Sequence, residues 1–246
     1  MRRLGLQITQ QSCRNQLLAR LSADDFALLG RHLEPVDLAP HQVVFEPQTA
    51  IRYAYFLESG IASVIANVSR TSRIDVGIEV GIYGREGMGG TALLMGADRT
   101  PHRHLIQVAG RGHRIASKAL LDATVASRSL HMSLLRFAHV FGTQTSATAV
   151  ANATSVIGAR LSRWLLMCQD RIDGSEVPIT HAFVATMLGV RRPGITTAIH
   201  ELEGEHMIKG QRGQITILDR AGLIRRAGAS YGVSEAEYRR LIGPLS

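Results

Sequence analysis

The segment from Ile179 to Glu203, ITHAFVATMLGVRRPGITTAIHELE, constrains this chain more than any other. Thr180 is placed to N-cap a first helix, and Phe183, Val184, Met187 and Leu188 recur at helical spacing to form one buried face. Gly189 follows as a stop, because a left-handed backbone carries no side-chain penalty at glycine. Val190 is an apolar residue inside the turn, positioned to pin two helices together. A second helix is expected to begin near Arg192. Pro193 is tolerated there, since a first turn has no use for the missing amide hydrogen. Ile195, Ile199 and Leu202 form its inner face and leave Arg192, Thr196, Thr197 and His200 on the outer one. Two short helices joined by a tight turn, with paired arginines opening the second, match the geometry that presents helix N-terminal residues to base edges in the DNA major groove. An arginine there has the shape to pair with O6 and N7 of guanine. The same spacing also fits an ordinary helical hairpin whose arginines face water.

The following residues favour the first alternative. His206-Met207-Ile208 leads through Lys209-Gly210-Gln211-Arg212-Gly213-Gln214 into Ile215-Thr216-Ile217-Leu218. Two short strand-forming runs around a glycine-containing turn make a β-hairpin. A hairpin directly after a recognition helix is the wing of a winged helix. Its Lys209, Gln211 and Arg212 are then candidates for phosphate contacts, which position a protein without reading sequence.

With these residues in view, the chain resembles the catabolite-activator/fumarate-nitrate-regulator (Crp/Fnr) family of transcription factors. The resemblance is carried by Arg160-Leu161-Ser162-Arg163-Trp164-Leu165-Leu166, by Asp170-Arg171, and by the segments MLGVRRPGIT, HELEGEHMI and RGQITILDR. Phe56-Leu57-Glu58-Ser59-Gly60 and Gly84-Arg85-Glu86-Gly87-Met88 add weaker matches. It spans roughly Leu17 to Arg220, and its specific part is the C-terminal third. The family implies an α+β fold with an N-terminal cyclic-nucleotide-binding-like β-barrel of jelly-roll type, a long dimerisation helix and a C-terminal winged helix-turn-helix. On this chain those parts are expected at residues 1–128, 129–169 and 170–246, the last with a C-terminal extension. The implied partners are double-stranded DNA with a two-fold symmetric site, a second copy of the chain, RNA polymerase and an unidentified small-molecule effector.

The resemblance also assigns roles. Arg192 is expected to read bases, with Thr196 and Thr197 next and His200 on the same face. Arg191, at the helix start, is expected to meet phosphate. Arg191 replaces the small polar cap often found there, and Pro193-Gly194 replace residues that contact bases in close relatives. In cyclic-nucleotide-binding relatives a Gly-Glu pair holds the ribose, and an arginine followed by a small hydroxyl residue holds the phosphate. Here the first appears as Gly84-Arg85, with Glu86 one step later, and the second as Arg103 followed by His104. An arginine in place of the glutamate removes the carboxylate that accepts ribose hydroxyl hydrogens. These five residues are the expected ligand site, and cyclic AMP is not the expected ligand. Some relatives hold an iron–sulfur cluster through several N-terminal cysteines; Cys13 alone cannot supply that set, so no such cluster is expected.

Elsewhere the texture fits two modest domains. Residues 15–33 read as an opening helix capped by Ser22, with Phe26, Leu28, Leu29 and Leu33 as apolar contacts. From Val36 to Ile115 short β-type runs recur: Val43–Phe45, Tyr53–Leu57, Ala62–Ala66, Ile74–Ile78 and Leu105–Val108. Ser117 to Ser127 reads as a helix, and Ser129 to Asp170 as a long helical stretch. Val140, Ala147, Ala151, Thr154, Gly158, Leu161, Leu165 and Cys168 make a coiled-coil-like seam along it, broken by Gln144. Gly142 and the threonines predict a kink. Such a helix packs on its own domain or, as the resemblance implies, on a second copy. A two-fold dimer would set two recognition helices about 34 Å apart, one DNA turn.

The formal net charge is +8. Residues 170–246 hold 10 Lys+Arg against 9 Asp+Glu, so residues 1–169 carry +7 of it. Positive charge favours nucleic acid, but most of it lies outside the proposed DNA reader and fits an anionic ligand, an acidic partner or scattered solvated arginines equally well. No apolar run approaches the ~18–20 residues that span a bilayer. MRRLGLQITQQ lacks the apolar stretch of a secretory signal, so a cytoplasmic protein without a membrane role is expected. Cys168 and Cys13 are expected as free thiols. Gly87-Met88-Gly89-Gly90-Thr91-Ala92 satisfies a dinucleotide-binding pattern, yet no acidic residue stands about 20 positions on. His102 and His104, with His113 nearby, offer two or three metal ligands where zinc takes three or four. No nucleophile with a positioned base is evident. Neither a metal site nor an enzyme is therefore expected, and Trp164 and Met187 are expected in the core.

Overall fold

The computed structural model describes residues 8–67 and 77–245. Ile74, Asp75 and Val76 of one expected strand, and the first seven residues of the N-terminal segment, lie outside them. In chain order the elements are α1 (Gln16–Ala19), α2 (Ala23–Gly30), β1 (Glu34–Leu38), β2 (Val43–Phe45), β3 (Tyr53–Leu57), β4 (Ile61–Asn67), β5 (Gly77–Tyr83), β6 (Met88–Gly89), α3 (Thr91–Leu94), β7 (Arg103–Val108), β8 (Gly110–Ala116), α4 (Ser117–Ala126), α5 (Arg128–Thr154), α6 (Ile157–Gln169), β9 (Glu176–Val177), α7 (His181–Met187), α8 (Arg192–Gly204), β10 (Ile208–Gln211), β11 (Gln214–Ile217), α9 (Arg220–Ala227) and α10 (Val233–Leu241).

Two four-stranded antiparallel sheets, in the orders β1-β8-β3-β6 and β2-β7-β4-β5, face each other across the first core in jelly-roll fashion. The second sheet is buried on both faces. Ala62, Val64, Tyr83 and Ile106 turn into the first core, whereas Ile61, Ile65 and Ile82 turn into a second core built with the C-terminal domain. Strands covered on both sides read as continuous apolar runs, which is why Ile61–Ala66 is legible without clean alternation. The single opening helix expected over 15–33 is two helices. Asn15 caps α1 through Leu18 N, and Ser22 caps α2 by accepting from Asp25 N at 3.1 Å.

The long helical stretch also divides, at Ser155-Val156 and not at Gly142. Ser155 and Val156 are extended, and α5 runs unbroken through Gly142. The hydroxyls of Thr143, Thr145, Ser146, Thr148 and Thr154 donate to carbonyls four residues back, so these residues satisfy themselves inside the helix. The expected seam is largely covered from within the chain. Val140 joins the first core, Leu161, Leu165 and Cys168 the second, and Ala151 is buried. Gln144, the apparent break, is buried because its Oε1 accepts from Ile82 N at 2.8 Å and ties α5 to β5. What α5 leaves exposed is a different stripe that includes Met132, Arg136, His139, Gly142, Ser146, Ala149 and Val150.

The C-terminal domain packs α6, α7, α8 and α9 around the second core, with the small sheet β10-β11-β9 at its edge. Beyond α9 the chain turns back, and α10 lies on α5. Tyr238 enters the first core, where its hydroxyl donates to the Glu86 carbonyl at 2.9 Å. Among the described residues no helix is long and apolar enough to cross a membrane.

Candidate nucleic-acid interface

The helix-turn-helix forms as its local residues dictate. Thr180 caps α7, its Oγ1 accepting from Phe183 N at 3.3 Å. Replacing Thr180 by alanine is expected to lower stability by about 1 kcal/mol, measured as a shift in the unfolding midpoint. Gly189 takes φ +62°, and a Cβ there would lie 2.9 Å from Ile78 Cγ1, so the turn needs glycine both for its backbone and for its seat against β5. Ile195, Ala198, Ile199 and Leu202 are buried. Arg191 occupies the N-cap position of α8 with no side-chain cap bond, and Pro193 stands in the first turn. Arg191, Arg192, Thr197 and His200 are exposed, with Thr196 half-buried. The hydroxyls of Thr196 and Thr197 donate to the Arg192 and Pro193 carbonyls at 3.1 Å each, and their methyl groups complete the outer face.

The wing is β10 and β11, joined by Arg212-Gly213 with Gly213 at φ +77°. Lys209, Gln211 and Arg212 are exposed on it. Glu203, near the end of α8, accepts from Gly210 N at 2.7 Å, and His200 Nδ1 lies 3.2 Å from its other oxygen. One carboxylate thus fixes the wing to α8.

The charges of α8 run against its dipole. A helix favours acids at its N-terminus and bases at its C-terminus, each by about 0.3–1 kcal/mol. Here Arg191 and Arg192 open the helix, no acid stands in the first turn, and Glu201, Glu203 and Glu205 close it. Neither arginine side chain has a hydrogen bond or ion pair among the described residues. The acidic end is compensated from outside: Arg226 of α9 reaches Glu201 at 3.0 Å and Glu205 at 3.3 Å. Helix N-termini and guanidinium groups each attract phosphate, so this arrangement suits an anionic partner. Sequence reasoning misses Arg226 and also Arg160, whose Nη2 donates to the Leu188 carbonyl. The paired acids of α8 and the Arg225-Arg226 pair are the available signal for the former.

The five candidate ligand residues are not brought together. Glu86 is buried, accepting from Gly84 N at 3.0 Å and from Arg171 Nε at 2.8 Å. Arg85 pairs with Asp173 at 2.6 Å. Arg103 reaches Glu46 at 3.2 Å. His104 is the next residue of the same strand, so it points to the opposite face. It lies in the core against Phe45, and burial lowers its pKa to about 3. The space between Glu86 and α5 is filled by α10, leaving a cavity of about 10 Å³ lined by Phe137, Gln144 and Tyr238 among others. Arg99-Thr100 also satisfies the arginine-plus-hydroxyl pattern; Thr100 is buried, and Arg99, largely exposed, pairs with neighbouring Asp98 at 3.6 Å.

The glycine-rich turn has a packing explanation. A Cβ at Gly87 would lie 1.9 Å from Phe137 Cζ, and one at Gly89 2.4 Å from Tyr83 Oη, so both are small because aromatic rings sit on them. Among the described residues no three His, Cys, Asp or Glu side chains are grouped to hold a metal. Cys13 and Cys168 are free and buried.

Comparison with known proteins agrees with this geometry. Residues 159–226 match the family described as the Crp-like helix-turn-helix domain. Among solved structures, the chain is similar to FixK2 from Bradyrhizobium japonicum, at 11% identity and a TM-score of 0.68, covering 80% of this chain and 98% of that one. It is similar to a CRP-family transcriptional regulator from Thermus thermophilus, at 17% identity and 0.64, covering 80% and 99%. It is also similar to CLP, the c-di-GMP-responsive global regulator of Xanthomonas campestris, at 16% identity and 0.62, covering 80% and 99%. No curated protein matches the chain in sequence.

Proposed function

We propose that this chain, of the Crp/Fnr type in its fold and in its helix-turn-helix domain, is a dimeric, sequence-specific DNA-binding transcriptional regulator that does not respond to cyclic AMP. The observation that carries the reading is α8: two uncompensated arginines at the exposed N-terminus of a helix whose back is buried and whose end holds a wing. Arg192 reads a base, Arg191 meets phosphate, Thr196, Thr197 and His200 flank the groove, and Lys209, Gln211 and Arg212 track the backbone. Within the exposed stripe of α5, Gly142, Ser146 and Ala149 form a small-residue stretch that lets a second helix approach closely, which supports a two-fold partner. The fate of Glu86, Arg103 and His104, each engaged elsewhere, supports insensitivity to cyclic AMP. So does the sequence: no glycine within residues 1–128 is followed by glutamate. Binding, not catalysis, is the reading preferred.

Selection of bound sequences from random duplexes tests this. A motif with two-fold symmetry and half-sites one helical turn apart is expected, with affinity falling steeply in salt. Arg192→Ala is expected to lose about 1–3 kcal/mol on that site and to relax selection at one base pair per half-site. An unselective pool, or normal affinity in Arg192→Ala, would refute the assignment.

A further inference from the structure

The surface near the start of the chain holds an arginine cleft for which DNA recognition has no use. It has a volume of about 340 Å³ and is lined by Cys13, Arg14, Gln16, Ala19, Arg20 and Arg85. Half of that lining is arginine and none is acidic. Arg85 is mostly buried. Its Nη1 donates to Asp173 Oδ1 at 2.6 Å and its Nη2 to the Ile172 carbonyl at 3.3 Å, while its Nε is buried without an acceptor. Arg14 Nη2 reaches the same carboxylate at 2.7 Å. Two guanidinium groups therefore converge on one oxyanion, and that oxyanion belongs to a side chain 66% exposed and able to swing away. Among the described residues the hydrogen-bond partners of Arg20 are neutral: Gln16 Oε1 at 3.1 Å, Tyr238 Oη at 3.2 Å and the Pro244 carbonyl. Its charge stays uncompensated by them. The other groups nearby are quiet. The Cys13 thiol is pushed up to about 12 by burial and by Glu58, so it remains neutral. Glu58 is buried beyond it, accepting from Arg14 N at 3.1 Å and lying 3.8 Å from His113.

We propose that this cleft binds a small phosphate monoester, which takes Arg14 and Arg85 from Asp173 and gains Arg20 as a third contact. Guanidinium forks match phosphate and carboxylate oxygens in pairs. Asp173 already supplies a carboxylate from within the chain, so a free carboxylate competes poorly with it. A phosphate monoester brings about two negative charges at neutral pH and three acceptor oxygens. That suits three guanidinium groups, including the orphan Nε of Arg85. Asp173 lies between α6 and β9, so an occupant that displaces it releases a tie between the first domain and the DNA-binding one. The binding step itself is independent of DNA recognition.

Calorimetric titration of the purified full-length protein with phenyl phosphate at constant ionic strength tests the site, with citrate as a carboxylate control. Saturable binding of one phenyl phosphate per chain is expected, with citrate much weaker. Arg85→Gln should weaken it by about tenfold or more, the scale of a lost charge-assisted hydrogen bond, and Arg20→Gln should weaken it too. Asp173→Asn removes the internal competitor and should tighten binding by about threefold to tenfold, the scale of exposed ion pairs. A purely structural role for these arginines would not produce that gain. Absence of binding in both the natural chain and Asp173→Asn overturns the proposal. So does binding indifferent to Arg85→Gln and Arg20→Gln, binding weakened by Asp173→Asn, or citrate binding as tightly as phenyl phosphate. None of these outcomes alters the DNA selection experiment, and failure of that selection leaves this titration unaffected.

Discussion

Replacing Arg171 with methionine is expected to destabilise the folded chain by about 3–5 kcal/mol, read from the denaturant midpoint at constant slope. Arg171 follows α6 by two residues and is buried with its partner, the side chains being 5% and 2% exposed. Its Nε donates to Glu86 Oε1 at 2.8 Å and its Nη1 to the Met167 carbonyl at 2.7 Å. With the arginine gone, Glu86 keeps the Gly84 amide among the described residues and stands as a buried charge without its counter-ion. An unpartnered buried charge is far more unfavourable than a buried pair is favourable. The double variant Glu86→Gln with Arg171→Met should therefore recover most of the loss, although it lacks both charges. A single variant that loses less than about 1 kcal/mol would contradict the pairing, since a lone buried carboxylate cannot be that cheap. The pair joins the turn after β5 to the end of α6, so its rupture also loosens the seat of the helix-turn-helix domain.

The helix-turn-helix is legible in the sequence because its determinants are local. Thr180, Gly189 and the Ile195–Ile199–Leu202 face each act within a turn or two of helix, and capping, backbone sign and periodicity are written in neighbouring residues. The wing is legible for the same reason. What the sequence does not disclose depends on residues far apart. The 3- and 4-residue steps of α5 and α6 correctly report an apolar side, but periodicity does not say which chain covers it. Gln144 looks like a flaw in a seam until Ile82, 62 positions away, supplies its donor. The break at Ser155-Val156 carries neither glycine nor proline, and Gly142, which does signal weakness, lies in continuous helix. The β8 strand GRGHRIA is polar and glycine-rich. Its Gly110 and Gly112 are required by backbone passing at Ser59 and Phe56, a contact invisible along the chain. Tyr238 sits in the polar run VSEAEYRRL, so nothing local announces that α10 returns to close the space beside Glu86. Arg85 reads as a replaced ligand residue; its partners Ile172 and Asp173 stand 87 and 88 residues on.

Glu79 gives the second large expected effect, and its sign is opposite to that of most carboxylates. It lies on β5 between the two domains, wholly buried, with Oε1 accepting from Trp164 Nε1 at 2.7 Å and Oε2 without a well-aligned donor among the described residues. Burial raises its pKa from 4.5 to about 7, and the neighbouring Ser63 hydroxyl, the Trp164 bond and the charges of Arg163 and Arg171 only partly offset this. Below pH 4.5 the group is protonated in both states and its environment is harmless. Between about pH 4.5 and 7 the unfolded chain has released the proton that the folded chain retains. The folded state then binds more protons, and stability must fall as pH rises through that window. The full fall is about 3 kcal/mol, complete above pH 7. Glu79→Gln keeps an acceptor for Trp164 and removes the charge, so the variant should be more stable than the natural chain by about 3 kcal/mol at pH 8 and show no such advantage near pH 4. Subtracting the two unfolding profiles isolates this group from Asp25 and Asp173, whose lowered values act at the acid end and are common to both proteins. Parallel profiles from pH 4 to 8 would show that Glu79 does not titrate in the window. Because Trp164 is part of the core that seats α7 and α8, the charge that appears on Glu79 near pH 7 acts on the contact between the β-sheets and the helix-turn-helix domain, and the same titration should be visible in the Trp164 fluorescence of the folded protein.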